Sequence, residues 1–345
     1  MSISSVSGFE DFCKPEVITG TGEILEDKSA SGRVRPWGER KVENQKLVEL
    51  LGIARKFDSS VVSDSRLVSI ADCASWAKFA EMSDNSRKLF DARFCRFRLC
   101  PMCCWRKSLK LFAQVSAVTD AILADKKVRF IFVTLTVKNV AGSELRDTIK
   151  TMNEGFKRLT DNSKYSAASG IFRKNLLGYM KAIEVTCNID RNDFHPHIHC
   201  IFEVSPSYFT GKSSGGGYLT HSDWRQMWQD VMRLDYEPQV NVKAIKADER
   251  KKAVSELAKY SVKMNDLLEI RDKNKAAKTL VELSNAIKNC RFVTFGGDFK
   301  EYKRKLSLDD VEKGDLVHVE TGIKELNAVA YILFTFRAKF GAYIC

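Results

Sequence analysis

The chain has 345 residues, 44% of them hydrophobic, with 56 Lys and Arg against 44 Asp and Glu, a net charge of +12. That size and apolar content support two or three compact units with cores of their own, and the modest Gly and Pro content excludes a largely disordered chain. The basic balance favours a polyanionic partner, most simply nucleic acid, and no stretch approaches the roughly 20 apolar residues of a membrane span.

The opening MSISSVSGFEDFCKPEV has neither a basic start nor an apolar run, so no secretory signal is expected and a reducing, cytoplasmic setting is the default. The ten cysteines then read as thiols or metal ligands rather than disulfides. Residues 1–35, rich in Ser, Gly, Thr and charge, are expected to form a flexible polar tail. Amphipathic patterns predict helices from Trp37 to about Phe57, over 66–80 and over 103–124, so that 36–124 forms a helical region around a cysteine-rich segment.

The texture changes at VRFIFVTLTV (128–137), which is β-branched and aromatic and predicts a buried strand. A helix follows near 144–160. GYMKAIEVTCN (178–188) and HIHCIFEV (197–204) predict two further strands joined by a turn. HSDWRQMWQDVMRL predicts a helix, QVNVKAIK a strand, and 247–270 a long helix. The catalytic unit is expected over 125–275. Residues 276–345 form a C-terminal region of unassigned role, ending in a strand-like AVAYILFTFR.

Three constellations carry chemistry. In DARFCRFRLCPMCCWRKSLK (91–110), Cys100 and Cys103 form a C-x-x-C pair, a spacing that grips one tetrahedral zinc from a tight turn. Cys95 is the natural third ligand and Cys73 the best-placed fourth, whereas Cys104 adjoins Cys103 and its side chain should diverge. Arg93, Arg96, Arg98, Arg106 and Lys107 surround this knot and are expected to contact the DNA backbone.

In FHPHIHCIFEV (194–204), strand alternation puts His197 and His199 on one face and Ile198, Cys200, Phe202 and Val204 on the other. On the preceding strand Glu184 shares the histidine face if the strands pair. Two imidazoles and a carboxylate make a divalent-metal site, with Mn²⁺ or Mg²⁺ expected there. His195 is expected in the turn before the strand, since Pro196 should start it.

In VSELAKYSVKMNDLL (254–268), Glu256, Tyr260 and Lys263 are spaced to share one helix face. Together with a metal-bound phosphate, they suit a transfer in which the Tyr260 phenol attacks phosphorus, Lys263 stabilises the developing charge and Glu256 serves a second attacking group as base.

HIHCIF is similar to the His-hydrophobic-His motif of the HUH endonucleases, YSVK (260–263) to their Tyr-x-x-Lys motif and FVTLTV (132–137) to their first strand motif. From about Trp37 to about Leu306 the chain resembles the rolling-circle replication initiator (Rep) proteins of small plasmids from Gram-positive bacteria. RPWGERKVENQKL, FCRFRLCPMCCWRKSLK, EVTCN, HPHIHCIF, WRQMW with DYEPQVNVK, and ELAKYSVK carry the resemblance.

The resemblance implies an α+β fold: an HUH-type antiparallel sheet flanked by helices, preceded by a helical zinc-binding region. It also implies nicking at a plasmid origin, a 5′-phosphotyrosyl intermediate, and host polymerase and helicase as partners. It assigns Tyr260 to initiation and Glu256 to release of the enzyme at termination. A relaxase or single-tyrosine transposase of the same superfamily shares the histidines and tyrosine, and a non-catalytic zinc-dependent DNA-binding regulator needs only the basic cysteine segment.

Overall fold

The structure is a computed structural model that describes residues 16–29, 31–161, 167–210, 217–259, 264–319 and 328–345. The elements run β1 (Val17–Ile18), α1 (Trp37–Ala54), α2 (Asp64–Ala71), β2 (Trp76–Met82), β3 (Arg87–Ala92), α3 (Pro101–Asp125), β4 (Arg129–Thr136), α4 (Gly142–Thr160), α5 (Ala167–Asn175), β5 (Leu176–Asn188), β6 (Asp193–Val204), α6 (His221–Met232), β7 (Val240–Ile245), α7 (Arg250–Leu257), α8 (Asn265–Leu268), α9 (Lys273–Ile287), β8 (Val293–Gly297), α10 (Asp298–Lys305), β9 (Ala328–Arg337) and β10 (Ala342–Ile344). The fold is α+β, with two sheets flanked by helices. No helix among the described residues is long and apolar enough to cross a membrane.

The larger set of contacts is organised by a five-stranded antiparallel sheet in the order β7-β4-β6-β5-β8. β6 sits in its middle, so both of its faces are covered. Ile198, Cys200, Phe202 and Val204 join Ile131, Val133, Leu135, Ile183 and Val185 in a core that also takes Ile149, Met152 and Phe156 of α4 and Trp224 and Trp228 of α6. The opposite face carries Met180, Ala182 and Ile201 against Leu111, Val115, Val118 and Ile122 of α3 and Val254 and Leu257 of α7. At about 1.5–3 kcal/mol for each large apolar side chain buried, the two cores hold the sheet between helices and fix which face each β6 residue presents.

The second sheet has the order β1-β9-β2-β3, with β10 paired to β9. It corrects two expectations. Helix α2 ends at Ala71, and Trp76–Met82 is a strand rather than the continuation of a helix over 66–80. Cys73 is drawn into the cysteine cluster, and Ala74 takes a positive φ of 49°, which ends the helical path and redirects the chain. The alternating burial of the following residues suits a strand with one face on a core. The region before residue 125 is therefore not purely helical.

Of the tail expected over 1–35, residues 1–15 and 30 lie outside the described residues, and residues 16–29 and 31–35 are not loose. Val17 and Ile18 pair with Tyr331 and Ile332 of β9, and the Leu25 N–H donates to the Tyr343 carbonyl at 2.9 Å. Asp27 accepts a 2.8 Å bond from the indole of Trp37, which is buried among Phe79, Trp105 and Tyr343. The partners of Val17, Ile18 and Leu25 lie more than 300 residues away in sequence, beyond any local pattern. The C-terminal stretch supplies β8 and α10 to the first sheet and β9 and β10 to the second.

The third correction concerns the long helix expected over 247–270. α7 ends at Leu257 and α8 occupies only Asn265–Leu268. The Lys259 N–H turns back to the Glu256 carbonyl at 3.3 Å, the tightened last turn of a terminating helix.

Candidate active site and metal centres

β5 and β6 pair in the register Glu184 to His197 and Ala182 to His199. On the other side of β6, β4 pairs Thr134 with His199 and Thr136 with His197. Period-2 alternation then places Glu184, His197 and His199 on one face. The Nε2 of His197 lies 3.2 Å from Glu184 Oε2, and the Nε2 of His199 lies 3.0 Å from the same oxygen. Their ligand atoms lie within 4.8 Å of one another.

The outer ring atoms are held as well. His199 Nδ1 is 3.1 Å from Thr134 Oγ1, and His197 Nδ1 is 3.3 Å from the His195 carbonyl. A Nδ1–H donated to oxygen leaves the Nε2 lone pair for a metal, the usual outer support of a ligating imidazole. The donor set of two imidazoles and one carboxylate fits a divalent cation with open positions. Glu184 and His199 are buried under α3 and α7, so the face is more enclosed than an open strand surface.

His195 does not sit in a turn. It lies on β6 opposite Thr186, with its ring centroid 5.3 Å from that of His197. The strand extends three residues before Pro196, to Asp193, because Phe194 bridges to Val140, exchanging N–H and carbonyl with it. Burial, with His197 adding to it, holds the His195 imidazolium below the usual histidine range.

Glu256 stands on α7 over this side of the sheet. It borders a pocket of about 150 Å³ whose floor includes Phe132, and the Phe132 ring lies 5.7 Å from that of His199. Its carboxylate pairs with Lys259 at 2.5 Å. Tyr260 and Lys263 lie outside the described residues.

A second cavity, of about 580 Å³, opens directly on Glu184. Trp105, Ser108 and Phe112 of α3, Arg40 and Glu43 of α1 and Lys259 wall it. Half-exposed aromatic rings beside cations suit unpaired bases and their phosphates.

Cys73, Cys95, Cys100 and Cys103 come together with all four side chains buried. Sulfur separations are 3.6 Å for Cys73–Cys103, 3.7 Å for Cys95–Cys103 and 3.6 Å for Cys73–Cys100. Four sulfurs about 2.3 Å from a tetrahedral zinc stand roughly 3.8 Å apart, so the cluster fits that ion. Backbone N–H groups of Cys95, Arg96 and Phe97 point at the sulfurs of Cys73, Cys103 and Cys95, and Asn44 Nδ2 donates to Cys100 Sγ at 3.4 Å. Buried Lys41 donates to the carbonyls of Ala71 and Cys73 at 2.7 Å each, placing a cation beside the thiolates. Burial pushes the Cys100 thiol well above its usual range, a penalty that metal ligation offsets. Cys104 points away, with its Sγ donating to the Arg98 carbonyl at 3.1 Å.

The arginines around the knot face elsewhere than expected. Arg106 is 1% exposed and donates to the carbonyls of Leu316 and Val317 at 2.9 and 2.6 Å. Lys107 is buried too. Arg96 donates to the carbonyls of Lys313 and Gly314, Arg98 lies over the Phe292 ring at 4.8 Å, and exposed Arg93 pairs with Asp72 at 2.9 Å. Arg96, Arg98 and Arg106 tie the cysteine segment to Phe292 and to residues 312–317, because a guanidinium carries several donors that need acceptors.

Lys41, Asn44 and Thr134 were missed by motif reading. The available signal was polar residues on the otherwise apolar stripe Lys41–Asn44–Leu47–Leu51 of α1, whose members are all buried.

A fold of this kind, with a histidine pair on the central strand of one sheet and a buried cluster of four cysteines, defines an α+β protein of basic net charge with two groups of side chains that could hold metal ions. Residues 86–344 match the family model described as Replication protein. The chain is 36% identical over 305 residues to the "Protein rep" of Lactiplantibacillus plantarum, covering 86% of this chain and 90% of that one. It is 35% identical over 308 residues to the "Protein rep" of Streptococcus pneumoniae serotype 2, covering 88% and 90%. A "Replication protein" of Staphylococcus aureus is 37% identical over 209 residues, covering 59% of this chain and 84% of that one. No solved structure matches the chain. The chain belongs to the replication-protein family.

Proposed function

We propose that this protein initiates rolling-circle replication of a plasmid by nicking one strand of the origin through a covalent tyrosyl intermediate, as an HUH-type single-strand endonuclease and strand transferase. The observation that carries the reading is the convergence of His197 and His199 on one oxygen of Glu184. A divalent cation held by these three residues, Mn²⁺ or Mg²⁺, supplies polarisation of a non-bridging phosphate oxygen.

The Tyr260 oxygen attacks the phosphorus. Its proton passes to solvent or a base, the bond to the 3′-oxygen breaks, and that oxygen leaves as a free 3′-hydroxyl for the host polymerase. A phenol with a pKa near 10 is a poor nucleophile at neutral pH, so Lys263 is assigned to stabilise its phenolate character. The ester retains the bond energy, so the strand can be rejoined. Glu256 is assigned to deprotonate the second nucleophile that frees the enzyme at termination. The cysteine cluster is assigned a structural zinc, which holds α3 beside α1 in the wall of the cavity on Glu184. Origin DNA, host helicase and host polymerase are the partners this reading requires.

The test is incubation with Mn²⁺ and a labelled single-stranded origin oligonucleotide, followed by mapping of the modified residue. A covalent adduct on Tyr260, absent in Tyr260→Phe while DNA binding persists, is expected. An adduct that survives Tyr260→Phe places the nucleophile elsewhere and overturns the assignment.

A further inference from the structure

Another cleft among the described residues is larger than the cavity on Glu184. A cleft of about 830 Å³ lies between α2, the cysteine loop before α3, the connection from α9 to β8 and the turn at 310–313. Its lining holds five cationic side chains, Arg66, Arg98, Lys288, Arg291 and Lys313, against two acidic ones, Asp310 and Glu312. Both acids are engaged internally. Asp310 Oδ1 accepts the N–H groups of Glu312 and Lys313 at 2.9 and 2.8 Å, and Glu312 pairs with Arg98 at 3.5 Å. Lys288, Arg291 and Lys313 are exposed, and neither they nor Arg66 form an ion pair among the described residues.

The walls are fixed to one another. Asn285 near the end of α9 donates to Asp58 at 3.0 Å, joining α9 to the segment before α2. Arg146 donates to the carbonyls of Asn285 and Lys288 at 3.1 and 2.9 Å, which closes the helix end with a further cation. Arg96 holds the 313–314 backbone against the cysteine loop. The unpaired cations are therefore presented by a rigid rim.

Cations without carboxylate partners in a concave rim suit a row of phosphates. The cleft lining holds a single aromatic, Phe97, where the cavity on Glu184 has the pair Trp105 and Phe112; all three rings are partly buried against a core. With one ring rather than two to stack on, the cleft reads backbone rather than unpaired bases.

We propose that this cleft grips the phosphate backbone of duplex DNA flanking the nick site, as a docking surface separate from the site that cuts. The proposal rests on the nuclease reading only for the identity of that DNA. It relocates the nucleic-acid contact from the arginines of the cysteine segment, most of which are spent on packing, to cations contributed by α2 and the α9–β8 and 310–313 connections.

The test compares the full-length protein with Lys288→Ala/Arg291→Ala/Lys313→Ala on two probes: an origin duplex, and a short single strand spanning the nick site. For the duplex, the slope of log affinity against log salt should fall by about one unit per cation removed, and affinity near 0.15 M salt should drop at least about tenfold. Nicking of the short strand should stay within about twofold of the unaltered protein. Lys288→Glu should weaken duplex binding more than Lys288→Ala. Duplex affinity and salt slope that match the unaltered protein overturn the cleft proposal, including where the variant has instead lost an acidic protein partner. Failure of the unaltered protein to nick the short strand overturns the nuclease reading; a duplex-binding loss in the variant supports the cleft in that case too.

Discussion

Glu184 and His197 face each other directly across the β5–β6 pair, with His197 Nε2 3.2 Å from Glu184 Oε2. The same carboxylate oxygen meets His199, one alternation further along. Removing either imidazole should abolish the stabilisation that Mn²⁺ confers. An ion at 100 times its dissociation constant raises the unfolding free energy by about 2.7 kcal/mol. His199→Ala should show no Mn²⁺-dependent rise in melting temperature and should lose nicking. A full Mn²⁺ shift in that variant would remove His199 from the site.

Thr134 positions rather than ligates. Its hydroxyl lies 3.1 Å from His199 Nδ1. Thr134→Val should weaken metal affinity about 10–100-fold with little change in nicking at saturating Mn²⁺. Metal titration followed by thermal shift reads the first effect, and a nicking assay at high Mn²⁺ the second.

Glu256 borders the pocket floored by Phe132, next to His199. Its assigned task begins only after the first transfer. Glu256→Ala should nick at near the unaltered rate yet leave multimeric or enzyme-bound products. Monomeric circles in normal yield from that variant would refute the role.

Cys100 and Cys104 make a matched pair of controls. Cys100→Ser should reduce bound zinc from about one equivalent to near zero and lower the melting temperature sharply, because metal binding here is folding free energy. Cys104→Ser should keep its zinc, since its sulfur points at the Arg98 carbonyl. Undiminished zinc in Cys100→Ser would take that residue out of the cluster.

Glu203, fully buried on the histidine face of β6, is pushed up to about 8 from 4.5 by burial and then by the Asp298 carboxylate, with Lys126 opposing. The folded state holds this proton more tightly than the unfolded chain. Stability from this group is therefore full below about pH 4.5 and is lost as pH rises toward 8. Glu203→Gln should raise the melting temperature near pH 8 by several degrees and leave it almost unchanged near pH 5. Parallel pH profiles for the two proteins would show that Glu203 titrates normally.

The strands β4 to β7 and the face shared by Glu184, His197 and His199 were legible because alternation is local: four or five residues decide which way a side chain points. The four cysteines were legible for a similar reason, since ligand chemistry restricts residue type and spacing. Less legible were the elements whose partners are remote. β2 read as helix because nothing near it reports Ile332 and Phe334, against which it pairs. Residues 16–35 read as a tail because their partners are Tyr331 and Tyr343. His195 read as a turn because its strand pairing depends on Thr186 and on the Phe194–Val140 bridge.

The sequence by itself determined the donor sets: two imidazoles and a carboxylate on alternating strand positions, and a C-x-x-C with two further cysteines. Those are properties of residue type and short-range geometry. Tertiary structure alone decided which cations are spent on packing and which are left for a partner. Arg106 and Lys288 are indistinguishable as charges in a sequence. One is buried against the carbonyls of Leu316 and Val317 and the other is exposed beside a cleft, because a cation's availability depends on acceptors brought to it from elsewhere in the chain.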